Sequence, residues 1–152
     1  MEKTDIYITQ GKDYCEMTRA LLEACDLASD IGNRKKRIGI KPNLAVAKPA
    51  SSGATTHPEV LRALLAYLKE KGFENLTVME SSWVGEETGR AFRAAGYDQI
   101  CSRYHVPFYD LKKDRVRSVD TPIGPIQICC RALDAGYLIN LPVLKGHCQT
   151  KM

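Results

Sequence analysis

Apolar and polar positions along this chain switch repeatedly between two spacings. Short runs at "DIYITQ" (5–10), "RIGIKPNL" (37–44), "NLTVMESS" (75–82) and "VPFYDLKK" (106–113) read as strands. Between them, "YCEMTRALLEACDLASDIG" (14–32) carries Met17, Leu21, Cys25 and Ala28 at helical spacing, with Gly32 as a stop. The clearest helix is "HPEVLRALLAYLKEKG" (57–72), with an apolar stripe of Val60, Leu61, Leu64, Leu65 and Leu68. Thr56 or His57 caps it, Pro58 and Glu59 suit its first turn, and Gly72 ends it. A looser helical stretch covers 85–96, and 97–104 predicts a short second helix. "RVRSVDT" and "IQICC", joined by "PIGP", predict a hairpin. After a turn at "ALDAG", "YLINLPVL" (137–144) reads as a strand apolar on both faces.

Strands alternating with helices imply right-handed crossovers and a parallel sheet with both faces covered. The expected fold is α/β, a three-layer α/β/α arrangement with a mostly parallel sheet plus one antiparallel hairpin. The 152 residues predict a single domain.

Composition narrows the function classes. A net charge of +4 is mild, and only "NRKKR" (33–37) clusters basic residues, so no basic stripe for nucleic acid is present. The N-terminus lacks the apolar stretch of a signal peptide, and no apolar run approaches the ~20 residues that span a bilayer. A cytoplasmic location and no membrane partner are expected. The six cysteines form no C-x-x-C pair, so no metal site is expected and the first five read as small core residues. Cys148 stands apart because of its neighbours.

In parallel sheets, ligands gather outside the carboxyl ends of the strands. After the second predicted strand, "KPNLAVAKPASSGATTHPE" runs into a helix N-terminus. There Ser51, Ser52, Thr55 and Thr56, with free backbone N–H groups and the charges of Lys41 and Lys48, could hold an anion. Glu80 ends the next strand and could act as a base, a metal ligand or a partner for Lys41. Trp83 could wall a pocket or anchor a helix. In "NLPVLKGH", Asn140 inside an apolar strand is expected to hydrogen-bond across the sheet, because an unpaired buried amide is costly. Lys145 and His147 lie two apart, so in an extended segment they point the same way and could grip an anion or serve as acid and base.

Several of these stretches, "IKPNL", "GATTHPEVLRALLAYLKEKGFENLTVMESS", "AFRAAGYDQI" and "LINLPVLKGH", resemble in that order the domain-of-unknown-function family 362. Lys41, Asn43, Thr55, Thr56, Pro58, Glu80, Asn140, Lys145 and His147 fall on the family's recurring polar motifs. Many members carry a ferredoxin-like module with two four-iron clusters, so the resemblance implies 4Fe–4S clusters in a separate module. The cysteine motif of that module is absent from this sequence. The family's K-x-H motif leads into a long further stretch, so the resemblance implies that these residues are the N-terminal part of a longer protein.

Three readings compete. The first is a catalytic or cofactor-binding part of a redox-associated iron–sulfur protein, with Lys41, Glu80, Lys145 and His147 as catalytic candidates. Asn43, Ser51, Ser52, Thr55, Thr56 and Asn140 are then its ligand contacts. The second is a non-catalytic module that binds an anionic small molecule or docks a ferredoxin-like partner. The third is an inactive fragment. An open strand edge would also permit self-association.

Overall fold

The computed structural model describes residues 5–146. Its helices are α1 (Tyr14–Ala24), α2 (Leu27–Ile31), α3 (Pro58–Glu70), α4 (Thr88–Ala94), α5 (Tyr97–Arg103) and α6 (Cys130–Leu133). Its strands are β1 (Ile38–Pro42), β2 (Leu76–Glu80), β3 (Phe108–Asp110), β4 (Val116–Val119), β5 (Ile126–Cys129) and β6 (Tyr137–Leu141). One four-stranded sheet has the order β3-β2-β1-β6, and every neighbouring pair in it is parallel. β4 and β5 form a separate antiparallel pair, as the hairpin pattern predicts. The fold is α/β.

Alternation within the strands decides the layers. Ile38 and Ile40 of β1 and Leu76 and Val78 of β2 point into one core with Leu61, Leu64, Leu65 and Leu68 of α3 and with Phe92, Tyr97 and Ile100 of α4 and α5. α1 packs on the outside of α3, fastened by Arg19, which reaches both carboxylate oxygens of Glu70 at 2.5 and 2.8 Å. The other sheet face holds Gly39, Thr77, Met79, Leu138 and Asn140, and its cover is thin. There the turn after α6 comes so close that a side chain at Gly39 would meet Met79 Cε at 2.8 Å and Ala135 Cβ at 3.3 Å. Arg131 of α6 lies flat over the Tyr109 ring, 3.4 Å from its centroid. Among the described residues, no helix is long and apolar enough to cross a membrane.

Four expectations need correction. Residues 5–10 form no strand; Ile6 and Ile8 are 85% and 87% exposed, since alternation without a ladder to join leaves nothing to bury them. The helix expected over 14–32 breaks in two. Cys25 caps α1, and Asp26 takes the left-handed conformation at φ 45° that Asp tolerates better than most residues. The strand expected over 106–113 keeps only three residues before a 3₁₀ turn at Leu111–Lys113. The last strand stops at Leu141, whose partner Pro42 is the last residue of β1. As an edge strand it is only half-buried, and Asn140 is exposed, so the burial that would have required a cross-sheet bond of its amide is absent.

Candidate functional site

The four parallel strands bring their carboxyl ends to one edge of the sheet. Lys41 and Asn140 are direct neighbours across β1 and β6. On the other side of β1, Lys41 Nζ lies 2.7 Å from Glu80 Oε2. Glu80 is only 2% exposed, and its Oε1 accepts the Leu44 N–H at 3.3 Å. Oε2 has the lysine close but no well-directed hydrogen bond. This carboxylate therefore clips the first residues of the β1–α3 loop onto the end of β2.

The same loop closes on itself through Thr56. The Thr56 N–H donates to Asn43 O, and the Asn43 N–H donates to Thr56 Oγ1, both at 2.9 Å. Thr56 Oγ1 in turn donates to Leu141 O of β6 at 2.5 Å, and the Tyr97 hydroxyl donates to Thr56 O at 2.9 Å. Burial holds that phenol above its usual range. Lys145 reaches back over β6, donating to Asn43 Oδ1 at 2.8 Å and Ala54 O at 2.7 Å. One of its three ammonium hydrogens is left for another acceptor.

The expected anion cradle of free donors is not what this loop presents. Thr55 Oγ1 donates to Lys48 O and Ser52 Oγ to Pro49 O, while Ser51 is exposed. At the start of α3, Pro58 has no N–H. The Glu59 N–H donates to Nδ1 of the capping His57 at 3.3 Å, and the Val60 N–H to His57 O. Apart from Ser51, the loop's own bonds occupy these donors. His147 and Cys148 lie outside the described residues.

A second loop, after β2, braces the first. The Trp83 N–H donates to Ala45 O, and Glu86 Oε2 accepts the Ala47 N–H at 3.0 Å. That bond, ahead of others, holds the Glu86 carboxyl below its ordinary pKa. Lys112 donates to the carbonyls of Trp83 and Glu86. Trp83 is 58% exposed, so it anchors no helix; its ring occupies the place where a side chain at Gly85 would begin, 2.0 Å away. Sequence reading missed Glu86, Lys112 and Tyr97. All three act through backbone groups distant in sequence, and nothing in their local pattern marks that.

Between the β1–α3 loop and the end of β6 opens a cleft of about 440 Å³. Gly53, Thr55, His57 and Val60 line one side, and Asn140, Leu141 and Pro142 the other. The His57 ring stacks on Tyr14 with centroids 4.0 Å apart. Here the strand order reverses: from β1 the chain moves outward to β2 and β3, then returns to β6 on β1's other side. Crevices at such reversals are where open α/β sheets bind ligands.

Of the first five cysteines, expected in the core, only Cys101 is buried; the other four are half-buried. Cys15 donates to Glu59 Oε2 at 3.1 Å, and burial followed by that bond pushes it up to about 11. Burial pushes Cys101 up to about 12. Among the described residues, no group of three or more His, Cys, Asp or Glu side chains could hold a metal ion.

The chain is 27% identical over 134 residues to a thylakoid-associated protein of Synechocystis, a match covering 88% of this chain and 41% of the relative. The chain thus spans about two-fifths of the length of the curated relative it matches. No solved structure matches it. The family model described as "Domain of unknown function (DUF362)" matches residues 38–152, from the first residue of β1 onward and including every strand-end group described above, and the chain belongs to that family.

Proposed function

We propose that this domain binds a small organic anion in the cleft between the β1–α3 loop and the end of β6, as the ligand- or cofactor-binding part of a longer, redox-associated protein. The observation that carries the reading is the open cleft at the point where the strand order reverses. Its apolar wall of Val60, Leu141 and Pro142 suits the body of such a molecule. Lys145 is anchored at Ala54 O, beside the lining residues Gly53 and Thr55, and supplies a cation for its charge. Lys41 and Glu80 are occupied with each other and with the loop, which favours a positioning role for them over acid–base work. The redox association rests on the resemblance to iron–sulfur family members, in which a separate module holds the clusters.

Benzoate and phenyl phosphate serve as probes in an NMR titration of the protein. Shift changes confined to residues 50–57 and 140–146 are expected. Lys145→Met should weaken binding about tenfold, or ~1.4 kcal/mol. Absence of binding, binding elsewhere, or an unaffected Lys145→Met variant would overturn the reading.

A further inference from the structure

The polar lining of the cleft is mostly spent on the protein itself, and what is left discriminates between anions. Thr55 Oγ1 donates to Lys48 O and Thr56 Oγ1 to Leu141 O. Three lining side chains keep a donor without a partner among the described residues: Tyr14, His57 and Asn140. Tyr14 and Asn140 are exposed, whereas His57 is half-buried, where an unmade hydrogen bond costs more. The tautomer of His57 follows from its capping bond. The Glu59 N–H needs a lone pair on Nδ1, which places the ring hydrogen on Nε2. Tyr14 stacks on the imidazole, with 12° between the ring planes, and so holds its orientation. No Asp, Glu, Lys or Arg lines the cleft. Lys41, the sheet neighbour of Asn140, is neutralised by Glu80. Lys145, anchored at Ala54 O, brings one positive charge to the rim.

We infer that the cleft takes a carboxylate in preference to a phosphate ester, and that His57 is the residue that sets this preference. The inference rests on the cleft reading above and gives its ligand a chemical class. The His57 Nε2–H donates to one carboxylate oxygen, and the remaining ammonium hydrogen of Lys145 to the other. One negative charge then meets one positive charge, and two oxygens meet two donors. A phosphate monoester approaches two negative charges at neutral pH and presents three acceptor oxygens. Its surplus charge would lie against Val60, Leu141 and Pro142, and a charge taken from water without a partner is costly. The usual receptor for phosphate, a set of free N–H groups at a helix N-terminus, is not on offer. At α3 those of Glu59 and Val60 go to Nδ1 and O of His57, and Pro58 has none. Tyr14 is a positioning residue, acting through the ring it holds.

NMR titrations of the 152-residue protein with benzoate and with phenyl phosphate, at equal ionic strength, test this. Benzoate should bind about fivefold more tightly. Nitrogen–proton correlation spectra of the imidazole should place the His57 hydrogen on Nε2, and benzoate should shift that hydrogen downfield. His57→Asn sets Oδ1 in the place of Nδ1, so α3 keeps its cap, and leaves nothing where Nε2 was. The variant should retain its circular dichroism, lose about tenfold in benzoate affinity and bind phenyl phosphate nearly as before. Unchanged benzoate affinity in His57→Asn, phenyl phosphate bound in the cleft as tightly as benzoate, or a ring hydrogen on Nδ1 would overturn this inference and leave the cleft reading standing. The last two need only the wild-type protein. His57 also borders a second recess, beside Ala94, Ala95 and Gly96. Shift changes there in place of those at Asn140, Leu141 and Val143, or no binding of either probe, would overturn both.

Discussion

Glu80 carries more structural responsibility than any other charged residue at the strand ends. A buried carboxylate is tolerable only with partners, and Glu80 has the Leu44 amide on one oxygen and Lys41 beside the other. Glu80→Ala leaves that amide without its acceptor and the lysine without its counter-charge. The expected loss is about 3 kcal/mol of unfolding free energy in urea titration, at the lower end for a buried pair because Lys41 is partly exposed. Glu80→Gln keeps an acceptor for Leu44 and should cost clearly less; equal losses would show that the backbone bond is unimportant. Sequence reading placed Lys41, Glu80 and Lys145 at strand ends through the period of their strands alone. That Lys145 spends two donors on Asn43 and Ala54, or that both hydrogen-bonding roles of Thr56 Oγ1 are taken, depends on contacts across the whole chain, which local spacing does not encode.

Among the elements, the two loops at the carboxyl edge behave as one. Glu86 links them by accepting the Ala47 amide, and its depressed pKa gives that link a pH signature. A carboxylate whose pKa is lowered in the folded state stabilises it fully above the unfolded value of ~4.3. That contribution is lost as pH falls through the lowered native value. Glu86→Gln should therefore be less stable than wild type at neutral pH, and the two stability curves should converge in acid; parallel curves down to low pH would rule the link out. Helix α3 was legible almost to the residue, because stripe, cap and proline agree there. Residues 5–10 were misread for the opposite reason. Their alternation is as clean as that of any strand, but a strand also needs a neighbour, and period carries no information about neighbours.

At the scale of the molecule, the parallel sheet and the hairpin differ in support. β1 lies between β2 and β6 and faces α3, whereas β4, among the described residues, pairs only with β5, which packs mainly on the short α6. Two-stranded ribbons are marginal by themselves. The amides of Val116–Val119 and Ile126–Cys129 should exchange through local opening, orders of magnitude faster than those of Ile38–Pro42 and Leu76–Glu80. Similar rates in both sets would mean that the hairpin unfolds only with the core. The α/β class was readable from alternating elements, but the strand order was not, since the position of β6 beside β1 is a long-range choice. That choice has a consequence in time. β1 meets β2 after one helix, but it meets β6 only after β2, β3 and the β4–β5 hairpin have been made. Closing so long a loop is slow, so during synthesis one side of β1 waits unpaired while the β1–α3–β2 unit has already formed. The carboxyl-edge cleft, which needs Leu141 as an acceptor for Thr56, therefore takes shape only after β6 has docked.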